Sequence, residues 1–244
     1  KEYFDKSTVI NDKFLKNFLN ACSMKSEKMK TNVITVFQKE LMDFISDAQN
    51  VLIAGCSLCA STCKVGGEEE IAALKTELEA AGKNVLGTLV LDPACNLLKT
   101  RKDMKVFKEQ MPEVDAIVSL ACGDGTQTLA KVVSKPVYPG NNTMFIGEIE
   151  RVGQYEESCL ACGDCELGWT AGICPITRCA KSLMNGPCGG AKNGKCEVNA
   201  ENDCAWILIY NKLKDEGRLS NITENRPPKD FQKNVHPKRI ELTR

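Results

Sequence analysis

The chain has 244 residues, 32 basic and 32 acidic side chains, and one histidine, His236. Balanced charge gives no global field for nucleic acid or an anionic membrane, and a lone histidine excludes histidine-rich metal sites and most imidazole acid–base chemistry. Apolar runs such as VLIAG and AWILI are far too short to cross a bilayer, and the opening KEYFDKSTVINDKF lacks the apolar stretch of a signal peptide. A cytoplasmic location is expected. The sequence opens without Met, which is compatible with processing or an upstream segment. Against this background 14 cysteines stand out. A reducing compartment, the length and the periodic core segments argue against a disulfide scaffold, leaving zinc, iron–sulfur clusters or some of each.

Residues 1–48 read as an N-terminal helical extension. Its isolated Cys22 is a packing residue, and TVFQKELMDFISDA places Phe37, Leu41, Phe44 and Ile45 on one helical face. An α/β rhythm then occupies residues 49–145. NVLIAG is a buried strand, and EEEIAALKTELEAAGK is a helix with Ile71, Leu74 and Leu78 in register and Gly82 at its stop. NVLGTLVLD is a second strand, followed by one helix running through Leu97, Met104, Phe107 and Met111. VDAIVSLA is a third strand, and DGTQTLAKVVS starts another helix. Short apolar strands alternating with amphipathic helices predict a flavodoxin- or Rossmann-like parallel sheet.

Cys56, Cys95 and Cys122 each follow one of these strands. A parallel sheet brings all three to its carboxyl edge, where open α/β folds bind ligands. Cys59 and Cys63 extend the first loop, and no GxGxxG follows the strand to mark a dinucleotide site. Cys56, Cys59, Cys63 and Cys122 are the expected ligand set, with Cys95 the substitute for any of them.

SKPVYPGNNTMF has the Pro, Gly and Asn content of a linker. Residues 146–220 form a small cysteine-rich metal-cluster domain containing Cys159, Cys162, Cys165, Cys174, Cys179, Cys188, Cys196 and Cys204, enough for two four-thiolate sites. Cys159, Cys162 and Cys165 make C-x2-C-x2-C ahead of a Cys-Pro at Cys174, the opening used by bacterial ferredoxins, although the gap before Cys-Pro is longer here. No second C-x2-C knuckle is present to favour paired zinc knuckles. A first partition puts Cys159, Cys162, Cys165 and Cys179 in one site and Cys174, Cys188, Cys196 and Cys204 in the other. DCAWILIYNKLKDEGR is a helix with Asp203 as N-cap and Gly217 near its stop, which gives Cys204 the positive helix end. Trp169 and Trp206 read as core residues. Residues 221–244, with Pro227–Pro228, form an extended tail, and His236 is a solvated residue within it.

GCSLCASTCKVGGEEE, SLACGDGTQT, KPVYPGNNTMF and the long CLACGDCELGWTAGICPITRCAKSLMNGPCGG stretch together resemble one family. It is the cysteine-rich small subunit of methylenetetrahydrofolate reductase from acetogens and related Wood–Ljungdahl bacteria. The resemblance covers about residues 50–230. It implies a non-catalytic electron-transfer subunit of an oxidoreductase, carrying two or three [4Fe-4S] clusters, with zinc as the alternative at one site. The implied partner is a flavin-containing large subunit with FMN or FAD, supplied by ferredoxin or another donor module. The competing expectation is a structural zinc subunit that braces the flavoprotein and passes no electrons.

Overall fold

The computed structural model describes residues 33–35, 38–151 and 153–240. These lie within one compact unit, Thr31–Arg244. Cys22 and most of the N-terminal extension, Phe37 included, lie outside the described residues.

In chain order, β1 (Val33–Thr35) precedes α1 (Gln38–Phe44), and β2 (Asn50–Cys56) leads through the short α2 (Cys59–Thr62) into α3 (Glu68–Ala80). β3 (Asn84–Leu91), α4 (Leu97–Asp103), β4 (Ala116–Ser119), α5 (Gly123–Val132) and β5 (Val137–Pro139) follow. Strands in the order β3-β2-β4-β5 form one parallel sheet, with Ile53 opposite both Thr88 and Val118, and Val118 opposite Tyr138. Alternation along β2 sends Val51 and Ile53 to one face and Leu52 and Ala54 to the other. Leu41, Ile45, Ile71 and Leu78 cover the first face, whereas Phe107, Ile117 and Leu129 pack on the second. Each fully buried leucine or isoleucine here contributes about 1.5–3 kcal/mol through removal from water. This is the predicted Rossmann-like arrangement.

Helix ends follow local chemistry. Glu70 accepts the Gly67 amide at 2.8 Å, and three glutamates in the first turn of α3 complement its positive end. Gly82 follows at φ +83°, a left-handed conformation that costs glycine little. Lys83 donates to the carbonyls of Ile45, Ser46 and Ala48 at 2.8–3.0 Å, satisfying the chain that leaves α1.

Two segments differ from expectation. The helix predicted through Met111 ends at Asp103 and continues as 3₁₀ turns, Met104–Phe107 and Met111–Glu113. Tightening the turns brings Met104 and Phe107 into the core while Leu97 stays partly exposed, and Pro112 cannot continue a helix. The stretch with linker composition supplies β5, the fourth strand, and then β6 (Asn141–Thr143), which pairs antiparallel with β1. Pro139 is tolerated because β5 is a three-residue edge strand.

Beyond the sheet, β7 (Ile146–Arg151) and β8 (Gln154–Cys159) form an antiparallel hairpin with Gly153 at φ +85°. Tyr155 pins it to the sheet domain: the ring joins the second-face core and its hydroxyl donates to Thr62 O at 3.4 Å. The short helix α6 (Pro175–Arg178) packs on β8 through Thr177 Oγ1 to Ser158 O at 3.0 Å and an Arg178–Glu156 ion pair at 2.5 Å. α7 (Ala205–Asp215) buries Trp206, Ile209 and Leu213, and Trp206 donates its ring N–H to Leu183 O at 2.9 Å. Cys204, not Asp203, holds the N-cap position; the Asp203 carboxylate pairs with Lys195 instead. The expected tail folds back over the cysteine-rich segment as a strap, residues 224–240.

Candidate metal centres

The thirteen described cysteines form no disulfide. They fall into three neighbourhoods.

The first is the carboxyl edge of the sheet. Cys56 ends β2, Cys59 opens α2, Cys95 follows β3 and Cys122 is the N-cap of α5. Burial and then the nearby Cys122 and Cys56 sulfurs push the Cys59 thiol up. Cys95 is raised by burial first, then by the Asp124 carboxylate and by Cys122 and Cys56. These four thiols therefore crowd one another electrostatically, the situation a cation would relieve. Cys63 is as buried as Cys56 but differs in its neighbours: burial and then Cys59 push its thiol up to about 11, with neither Cys56 nor Cys122 among the causes. Cys95, expected as the substitute ligand, shares the neighbours Cys56 and Cys122 with Cys59.

Backbone geometry fixes this edge. Cys56 N donates to Gly66 O at 2.9 Å and Ser57 N to Leu91 O at 2.9 Å. A Cβ on Gly66 would run into the Leu120 carbonyl, and one on Gly55 into the Gly66 carbonyl, so both close approaches need glycine. Asp92 accepts Ser57 Oγ at 2.6 Å and Lys99 Nζ at 2.8 Å, joining the Cys56 and Cys95 loops. Those two bonds, Lys99 first, hold the Asp92 carboxyl below its usual range. Asn141 donates to Leu120 O at 2.7 Å and Val65 O at 3.2 Å, while its own buried Oδ1 has no protein partner. Such an amide positions the edge from beneath.

The second neighbourhood is the loop that follows β8. Ala161 N donates to Cys159 Sγ at 3.3 Å. A backbone bond from Asp164, then the Lys229 side chain, lowers the Cys162 thiol below its ordinary value. Ala161 and Gly163 both take positive φ, +52° and +78°, which bends the loop sharply between its cysteines. Cys165 lies on the same loop. Cys174 is the N-cap of α6, the helix whose Thr177 bonds Ser158 O at the start of this loop.

The third comprises Cys179, Cys188, Cys196 and Cys204, which line one cavity of about 20 Å³ with Arg178, Lys181 and Trp206 beside them. Gly190 N lies 3.5 Å from Cys188 Sγ, and Cys196 is lowered by backbone bonds from Asn199, Val198 and Ala180. Cys204 is the N-cap of α7, at the positive end of that helix. The first partition paired Cys179 with the Cys159 loop; the cavity instead gathers it with Cys188, Cys196 and Cys204.

A shared arrangement links the second and third groups: the amide two residues after a cysteine donates to its sulfur, Ala161 N to Cys159 and Gly190 N to Cys188, whereas the Cys162 thiol itself donates to the Asp164 carbonyl at 3.5 Å. Amides aimed at sulfur stabilise thiolate, the form that binds metal. Among the described residues no three Cys, His, Asp or Glu side chains stand close enough to cage an ion as placed. The donor chemistry nevertheless fits a metal group: soft sulfur ligands, thiolate-stabilising amides, and four thiols per neighbourhood.

The strap was not legible in the sequence. Arg226 pairs with the buried Glu166 at 3.1 Å and exchanges two hydrogen bonds with Asn185. Lys229 Nζ donates to Asp164 O, Lys233 Nζ to Asp164 Oδ1 at 3.1 Å, and Lys238 Nζ to Ala161 O at 3.0 Å. The basic residues around Pro227–Pro228 were its one sequence signal.

An α/β protein with a thiol-bearing sheet edge and an appended cysteine-rich, strap-clamped segment is the class that fold and sites define. Residues 138–232 match the family described as "Methylene-tetrahydrofolate reductase C terminal", which relates that part of the chain to methylenetetrahydrofolate reductase. The match spans the last sheet strand, both C-terminal thiol groups and much of the strap, and excludes the sheet-edge cysteines. No curated protein and no solved structure shows a significant match. Among the described residues no helix is long and apolar enough to cross a membrane.

Proposed function

We infer that this chain is the electron-transfer subunit of a methylenetetrahydrofolate reductase complex, passing electrons to a flavin-containing subunit that forms methyltetrahydrofolate. The observation that carries the reading is the amide-to-sulfur arrangement repeated at Cys159 and Cys188 within the family-matched, cysteine-rich segment. Cys159, Cys162, Cys165 and Cys174 would hold one [4Fe-4S] group, and Cys179, Cys188, Cys196 and Cys204 a second. Cys56, Cys59, Cys95 and Cys122 would hold a third at the sheet edge. Such clusters supply reversible one-electron storage. The chain's own residues do the rest. Amides direct their dipoles at sulfur, Cys122 and Cys204 stand at positive helix ends that would complement a negatively charged bound group, and Trp206 with α7 covers one site. The partner would carry FMN or FAD and the folate pocket, with ferredoxin or a comparable module as donor.

A second reading applies to the third neighbourhood. Its cavity of about 20 Å³ has room for a single small occupant, which favours a structural zinc ion there.

Anaerobic purification with iron, sulfide and zinc analysis tests both. Two or three cubanes correspond to about eight to twelve irons per chain; eight irons with one zinc, that zinc alone being lost from Cys188→Ala, places zinc in the cavity. Stoichiometric zinc with no iron overturns the relay and leaves a bracing subunit.

A further inference from the structure

We propose that Lys229 is a positioning residue for the thiol site on the Cys159–Cys165 loop, its ammonium compensating the negative charge gathered there and setting how readily the bound group accepts an electron. This rests on the reading that the loop holds a metal group.

The geometry isolates Lys229. Arg226 anchors the strap on Glu166, Asn185 and the Trp169 ring, and Pro227–Pro228 stiffen the next two residues. Lys229 is thereby delivered to the Asp164 carbonyl, between Cys162 and Cys165. Two further groups occupy the Asp164 carboxylate: Lys233 Nζ and the Asp230 amide, each at 3.1 Å. The loop's own anion is thus paired with other groups, while Lys229 and the Cys162 thiol meet on the same Asp164 carbonyl, which brings the ammonium beside that sulfur. Close approach is built in, because a Cβ on Gly163 would meet the Lys233 backbone carbonyl. Lys238 grips the same loop at the Ala161 carbonyl and Asn234 Oδ1. It provides a matched ammonium that clamps without addressing Cys162.

The step concerned is gain of one electron by the bound cluster, supplied by dithionite in the experiment, with no bond made or broken. Reduction adds one negative charge, so a fixed cation beside the ligands favours the reduced form and raises the potential. Removing that cation disfavours reduction.

The test uses the anaerobically purified full chain as wild type, K229Q, K229R and K238Q, with EPR-monitored dithionite titration. In K229Q the reduction equilibrium of one centre should fall about tenfold, about 59 mV for one electron, with the other centres unmoved. K229R should stay near wild type, and K238Q should move little. An unshifted K229Q, or a K238Q shifted equally, overturns the proposal. Loss of one cluster's iron from K229Q but not from K238Q supports it, and equal loss from both overturns it. If wild type holds zinc and no iron, the relay reading fails separately. The effect on electron uptake falls with it, and the charge-compensating role of Lys229 is then judged by chelator competition: zinc leaving K229Q faster than K229R and K238Q supports that role, and equal rates overturn the proposal entirely.

Discussion

The guanidinium carbon of Arg226 lies 4.2 Å from the centre of the Trp169 ring, while its Nε pairs with the nearly buried Glu166 carboxylate at 3.1 Å. One side chain therefore joins the strap to the cysteine-rich core through a ring face and a buried charge together. Replacing Arg226 with Ala removes a cation–π contact and strands a carboxylate, so about 2 kcal/mol of stability should be lost. Arg226→Lys, which keeps charge but not the planar fork, should fall between. Chemical denaturation and protease sensitivity of residues 224–240 measure both; a wild-type midpoint in the Ala variant would contradict the anchoring role.

Cys63 and Cys95 should behave oppositely. Cys63→Ala removes a core sulfur and should cost roughly 1 kcal/mol with bound metal unchanged. Cys95→Ala should cost little stability and empty the sheet-edge site. Metal analysis of the two variants beside urea melts decides the matter.

The raised Cys63 thiol also predicts a pH dependence in metal-free protein. Its folded value of about 11 lies above the ordinary 9.0, so the unfolded chain releases this proton first. Its contribution to stability is present in full below pH 9 and is lost as pH rises toward 11. Cys63→Ala should flatten that alkaline decline, as read from denaturation midpoints across the range. At pH 8 an alkylating reagent should modify the exposed Cys165 and Cys188 well before Cys63, resolvable by mass spectrometry.

Asp115 predicts the acid side. Its carboxylate accepts the amides of Gln49 and Asn50 at 2.9 and 2.7 Å, Asn50's bond being the larger cause of its lowered value. Stability from this bond is present above the unfolded pKa and disappears as pH falls through the folded one. Asp115→Asn should therefore destabilise at pH 7 and match wild type in strong acid. A constant difference across pH would refute the assignment.

Gly66→Ala should be among the most damaging single changes, about 3 kcal/mol or more, because the new methyl meets the Leu120 backbone carbonyl and neither chain can yield. Gly82→Ala, where a Cβ meets nothing within 4 Å and only the positive φ is at stake, should cost about 1 kcal/mol. Thermal melts of the two separate backbone crowding from conformational strain.

The parts of this molecule legible in the sequence are those governed by local pattern. Apolar runs and helical periodicity located β2, β3, β4 and α3, and a parallel sheet then required Cys56, Cys95 and Cys122 to share one edge. β5 was missed because a three-residue edge strand ending in Pro139 has the composition of a turn. The grouping of Cys179 with Cys188, Cys196 and Cys204 depends on how α7 packs, which cysteine spacing does not encode. The strap was missed for a related reason: lysines reaching Asp164 from more than sixty positions away leave no periodic trace.

The strap's place in the sequence has a consequence for assembly. Ribosomal synthesis delivers the Cys159–Cys165 loop first and residues 226–238 only after α7, a delay of several seconds at about 5–20 residues per second. During that interval the sheet already has its apolar cores, and the loop that turns its amides toward sulfur is still uncovered. Loading from the strap side is open while the chain is being made and becomes obstructed once Lys229, Lys233 and Lys238 close over it. Order of translation would thus set a time window for loading any metal group that this loop takes.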